Sequence, residues 1–414
     1  MNEVKLFLSQ PKNTRTLLLT SFMYAFVLPV VDIFVAAYIM RNSSDVGRVV
    51  IYQLTVYTGI PLTFLVNGYL LNKVNPGLLY AFGMLLSGIS MLVMTSLPVL
   101  DFTGIGVAGL IMGMSFGFFW ANRDYLVLIC TTDNNRNYYY GLETFFNTFT
   151  FVIVPVSVGW FIQSAEHVSW VSNINFAYRL VIYVVIIITV LASVLINKGA
   201  YQKPQKSRFI YFKYDKLWYK MLVVAVLKGL VQGFIVTAPA MLIMKLVGEE
   251  GALGTMQSIS SLLTAVLMYV IGRFSKPQHR LQIWGIAVLL FVAGSFINSI
   301  FFSAASVLIF LLMMIVARPM FDLAYFPLQM KVIDFLKDRE NRNEFSYLFS
   351  HEWGLYVGRF LGCGTFILIT YTISDNAALI FTLPLVTVLQ SFSYFVMKNI
   401  LGEMNEREEK CQTE

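Results

Sequence analysis

Charge is scarce in this chain. Asp, Glu, Lys and Arg make up only 13% of its 414 residues, against about 25% in soluble domains, so a conventional water-facing surface is excluded. Cysteine is nearly absent too. Cys130, Cys363 and Cys411 stand far apart, which fits neither a disulfide framework nor the spacing of a metal site. The apolar runs show no two-residue alternation, and this excludes a membrane β-barrel. No polar stretch between the runs is longer than residues 198–216.

What fills the chain is apolar sequence, at 57% of residues. A bilayer core takes roughly 20 apolar residues of helix at 1.5 Å each. Runs of that length recur, and hydrocarbon forces such runs into helices because their backbone groups find no other partners there. The pattern predicts twelve spans: 16–40, 47–71, 77–99, 103–130, 138–163, 171–197, 217–245, 250–273, 281–303, 304–335, 343–372 and 376–401. The first run is too long for a signal-peptide core and is expected to stay as a span. The fold class is therefore all-α and integral to the membrane.

Charge sits between the spans. With both termini cytoplasmic, the loops on that side collect most of the 30 Lys and Arg, while the other side keeps only Arg41, Arg48, Arg179 and Lys245. The net charge of +7 thus reflects loops beside anionic lipid headgroups and calls for no nucleic-acid partner. The basic stretch 198–216 divides the chain into six spans and six, giving halves 1–197 and 217–401, a linker between them and a tail at 402–414. Asn135-Arg136-Asn137 after span 4 returns as Asn341-Arg342-Asn343 after span 10, which points to a duplicated six-helix unit with pseudo-symmetry.

In this organisation the chain resembles the major facilitator superfamily. That family's signature after its second helix is a Gly, an Asp-Arg pair, then a further Gly and basic residues. Here the run is Gly68-Tyr-Leu-Leu-Asn72-Lys73-Val-Asn75-Pro-Gly77, matching at Gly68 and Lys73 with Asn72 in the acidic place. Gly272-Arg273-Phe274-Ser275-Lys276 echoes it in the second half, again without the acid. The resemblance implies a transporter in the plasma (inner) membrane. It also implies that helices 1, 4, 7 and 10 line a central cavity, with 5 and 11 at its sides and 3, 6, 9 and 12 toward lipid.

An ionisable group at mid-bilayer costs at least about 2.5 kcal/mol and so needs a reason. Asp32, Arg123, Asp124, Glu143, Lys228, Arg318, Asp322, Glu352 and Arg359 lie inside spans 1, 4, 5, 7, 10 and 11, whereas the interiors of spans 3, 6, 9 and 12 hold none. Counting rise along each helix puts Arg123 and Glu143 at similar depths, roughly 12 and 9 Å from the cytoplasmic side, and puts Asp322 near Arg359. These are the two expected buried pairs. Asp32 and Lys228, without an evident sequence partner, are expected to face solute or protons. Asp32, Glu143 and Glu352 are the expected proton carriers, in that order, with His351 as a possible shuttle.

Trp120, Asn122 and Tyr125 on span 4, with Tyr325, Phe326 and Gln329 on span 10, supply aromatic and amide groups beside the charges. The expected substrate site therefore comprises Asp32, Trp120, Asn122, Arg123, Lys228, Arg318, Asp322 and Tyr325. Gly109, Gly113 and Gly117 on span 4, Gly229 and Gly233 on span 7, and Gly358 and Gly362 on span 11 are spaced for close helix packing. Three motifs mislead. Gly104-x-Gly106-x-x-Gly109 follows no strand, His351-Glu352 lacks the second His of a zinc helix, and Asn42-Ser43-Ser44 is a glycosylation site only in a secretory-pathway host.

The reading is a monomeric secondary transporter in contact with membrane lipids, needing no cofactor or metal, that carries a small polar solute of the sugar or organic-anion class by alternating access with protons. Export of amphipathic compounds is the alternative. A membrane enzyme on lipid-linked substrates fits less well, since the loops are short and the charges spread through the core.

Overall fold

A computed structural model describes residues 3–131, 133–167, 174–199, 201–202, 210–274, 277–342 and 344–413. Lys276 and Asn343, and part of the linker, lie outside the described residues, as do the side chains of Asn135, Arg136, Asn137 and Arg273. The described residues form helices and no strand. Twelve are long and apolar enough to cross a membrane: α1 (Lys12–Ser43), α2 (Val46–Leu70), α3 (Pro76–Ser96), α4 (Phe102–Val127), α5 (Tyr138–Ala165), α6 (Ile174–Ile196), α7 (Lys216–Leu246), α8 (Glu250–Met268), α9 (Arg280–Phe301), α10 (Ala304–Lys337), α11 (Ser346–Thr372) and α12 (Asp375–Arg407).

The chain forms two compact units. One holds Met1–Lys206 and Val247–Ile259, the other Ser207–Leu246 and Ser260–Glu414. Equivalent helix pairs pack inside each: α3 with α4 and α9 with α10, α3 with α6 and α9 with α12, α1 with α5 and α7 with α11. The start of α8 packs in the first unit although it follows α7 in sequence.

Helix starts are capped by side chains. Asp45 accepts from the backbone N–H of Gly47 at 2.8 Å and Arg48 at 3.3 Å, and Asp215 accepts from Leu217 at 2.8 Å. Burial alone would raise the pKa of Asp215, but the Leu217 N–H and the Arg407 guanidinium outweigh it and hold the carboxyl below its ordinary value.

Two helices break at matching places. Proline has no N–H and its ring clashes with the carbonyl four residues back. Pro29 and Pro239 thereby strip the bond from Ala25 and Ile235, and these are the residues at which the first segments of α1 and α7 end. Past the break, α1 resumes through a π turn at Val30–Phe34, and α7 resumes at Ala238. Pro155, Pro319 and Pro327 sit inside unbroken helices.

Close helix contacts are made where glycines meet backbone. A Cβ at Gly113 of α4 would land on the Val56 carbonyl and on Gly59 of α2, and one at Gly117 would strike Thr63. The spaced glycines of α7 and α11 interlock. A Cβ at Gly229 would hit the Leu355 carbonyl, and at Gly358 the Val226 carbonyl. Apolar side chains point outward on the remaining faces, such as Val184, Ile187, Leu191 and Val194 on α6 and Leu289 and Ile300 on α9. In water such faces would aggregate, and lipid is their natural solvent.

Replacing Gly113 or Gly358 by Val is expected to cost about 1–3 kcal/mol or more, because backbone on both sides cannot move aside. Gly364→Ala, where nothing lies within 4 Å of the added carbon, is the neutral control. Thermal unfolding and monodispersity in detergent measure both.

Candidate functional site

In the first unit, α4 and α5 are joined by charge. Arg123 Nε donates to Glu143 Oε1 at 2.9 Å, its Nη2 donates to Glu143 Oε2, and its Nη1 reaches Asp124 at 2.6 Å. Two parallel bonds from one guanidinium fix orientation as well as charge. Tyr139 donates to the same carboxylate at 3.3 Å and meets the Ser21 hydroxyl of α1. The rings of Tyr140 and Trp120 flank the guanidinium at 5.3 and 5.9 Å. The depth argument from sequence brought Arg123 to Glu143, and the structure joins them. Asp124, next in sequence, points out and is 63% exposed.

Asp32 occupies the π turn of α1. From Val27 to Met40 every residue is buried except this one, whose carboxylate is exposed. Trp120 is part-exposed on the helix that also carries Arg123. Asn122 does not join it. Its amide is fully buried against α2, donating to Asn67 Oδ1 and to the Phe118 carbonyl, both at 2.7 Å. Polar side chains inside membrane helices commonly serve a neighbouring helix in this way.

In the second unit the expected pairing of Asp322 with Arg359 is corrected. Asp322 accepts from the Lys228 ammonium at 3.0 Å, so Lys228 has the partner its sequence context did not reveal. Lys228 is 8% exposed and lies 4.2 and 4.0 Å from the ring centres of Tyr325 and Phe326. Arg359 bonds Gln232 of α7 at 3.0 Å and faces Glu352 at 3.5 Å. Tyr325, expected to touch solute, is fully buried, and its hydroxyl shares a 2.5 Å hydrogen bond with His351. Arg318 is exposed one turn before Asp322.

One charged cluster was not foreseen. Glu250 at the start of α8 is 1% exposed and accepts from Arg41 of α1 and from the Tyr178 hydroxyl of α6 at 3.2 Å, all within the first unit. The sequence signal lay beside it. Gly251 and Gly254 admit backbone this close, since a Cβ at Gly254 would strike the Pro155 carbonyl of α5.

A twelve-span helical chain built from two units with repeated packing, each with charged side chains inside its spans, matches the sequence profile of the Major Facilitator Superfamily over residues 16–362. The chain belongs to the Major Facilitator Superfamily. Its solved structural neighbours are transporters of this fold. The nucleoside transporter NupG superposes with a TM-score of 0.70 at 12% identity, covering 94% of this chain and 99% of that one. A bacterial homologue of the iron transporter ferroportin in an inward-facing state gives 0.64 at 15%, covering 92% and 98%. In sequence, the chain is 20% identical over 398 residues to Uncharacterized protein YqgE of Bacillus subtilis (strain 168), covering 95% of this chain and 90% of that protein. At these identities the structural likeness concerns the fold.

Within this superfamily fold the Arg123 and Glu143 pair ties α4 to α5. Glu143→Gln leaves a guanidinium largely buried with only Asp124 opposite, which is expected to cost about 3 kcal/mol. Asp124→Asn, on an exposed group, should stay within about 1 kcal/mol of the parent. Thermal unfolding in detergent checks both, and the reversed pair Arg123→Glu with Glu143→Arg should recover part of the loss.

Proposed function

We propose that this superfamily member is a secondary active transporter that moves a small polar organic solute by alternating access, coupled to protons. The observation that carries the reading is Asp32. Between Val27 and Met40, where the thirteen other residues are buried, a π turn leaves Asp32 exposed. An exposed acid at this depth is costly unless water and solute reach it, and π turns recur at functional positions.

Of the three candidate acids, Asp32 is the exposed one. Glu143 would first have to leave a bidentate guanidinium and a tyrosine hydroxyl, and Glu352 faces Arg359. Lys228 and Asp322 support the same reading from the second unit, because their single bond can open and close as the chain changes state. The neighbours named as a nucleoside transporter and as a bacterial homologue of an iron transporter indicate that the fold alone does not fix the cargo. The aromatic rings of Trp120 and Phe326, both part-exposed beside charges, favour an organic solute.

Full-length protein in liposomes, with and without an inward acid gradient, tests this. Asp32→Asn is expected to abolish gradient-driven uptake while solute exchange at equal pH persists. Gradient-driven uptake at the parental rate in Asp32→Asn would remove the proton assignment.

A further inference from the structure

Among the charged side chains of the second unit's layer, one stands without a counter-ion. Lys228 has Asp322, and Arg359 has Glu352 and Gln232. Arg318 has no hydrogen bond or ion pair among the described residues, although Asp322 lies one turn away on the same helix. The reason is visible. Asp322 is already bonded to Lys228 at 3.0 Å, and Lys228 is close enough to be repelled by Arg318. The layer Arg318, Asp322, Lys228, Glu352 and Arg359 therefore carries one positive charge more than its acids cancel.

Position sharpens this. Arg318 lies roughly 21 Å along α10 from Ala304, near the middle of a span that ends at Lys337. Headgroup phosphates are out of reach there. Arg318 shares its helix face with Asp322, four residues on and bonded to Lys228. Arg318 thus lies on the side of α10 that carries the polar layer, and it is exposed.

We propose that Arg318 docks an anionic group of the transported solute, a carboxylate or a phosphate, which supplies the counter-ion the protein withholds. This rests on the reading of the chain as a solute transporter. A guanidinium presents a planar fork of donors that matches both oxyanions, and an ammonium does not. The exposed ring of Phe326, two turns further along α10, offers an apolar surface to the rest of such a solute.

The test uses full-length protein in liposomes and pairs of solutes that differ by one acidic group: glucuronate with glucose, and uridine monophosphate with uridine. Uptake of an anionic member alone is expected. Arg318→Gln should lower it about a hundredfold and Arg318→Lys about tenfold, as fits the loss of charge-assisted bonds or of their fork geometry. Both variants must elute as the parent does, and the Lys variant keeps the charge should the Gln variant misfold. Uptake of a neutral member at the same rate in parent and Arg318→Gln overturns the anion assignment but leaves the transporter reading standing. Uptake of no member by properly inserted protein counts against both. Thermal protection by chloride alone, lost in Arg318→Gln and shared by no organic anion, would mean an inorganic ion occupies the guanidinium and would also sink the proposal.

Discussion

Hydrocarbon offers no hydrogen bonds, and this structure is organised around that lack. Every backbone group in a span must be satisfied within its own helix, and every charge must find an opposite charge or water. Glycine at the crossings lets helices meet backbone to backbone, as at Gly113 with Val56 and Gly358 with Val226, where dispersion replaces the hydrophobic drive that lipid removes. The same constraint explains why Arg123 is held by both oxygens of Glu143 and why Glu250, almost wholly enclosed, collects both Arg41 and Tyr178.

How much of this could be read from sequence follows from the geometry of a helix. Length along the axis is legible residue by residue, so the twelve spans emerge, and so does the meeting of Arg123 with Glu143, which needed only similar depth on consecutive helices. Direction around the axis is not legible without knowing which helices adjoin. Depth alone therefore set Asp322 against Arg359, while the long stem of Lys228 reaches Asp322 from α7. One clue went unused. Glu352 and Arg359 are seven residues apart, close to two full turns, which places them on one face of α11. Asn122 and Tyr325 were read as solute contacts for the same reason. Their polar atoms point at Asn67 and His351, and sequence cannot say where a side chain points.

The scaffold is repeated but its set of charged residues is not. Equivalent helix pairs pack in both units, and α1 and α7 each end a segment four residues before a proline. Yet the first unit's layer has three acids, Asp32, Asp124 and Glu143, and one base, Arg123, while the second has three bases and two acids. Packing constrains the symmetric part, because close crossings tolerate few residues. At the charged positions, by contrast, the halves have diverged.

The π turn of α1 shows how local structure sets one charged residue apart from its neighbours. A regular helix running from Val27 to Met40 through a fully packed surrounding would bury position 32 with its neighbours. The wider turn inserts one residue, so Val30, Val31, Ile33 and Phe34 stay in the core while Asp32 turns out. The proline break just before it loosens the helix where the register must change. Both features weaken backbone hydrogen bonding in a solvent that replaces none of it. α7 has the matching proline and resumes at Ala238 as an ordinary α-helix, with no acid at the corresponding place. The two breaks thus share the proline and differ in that α1 alone follows it with a π turn and an acid.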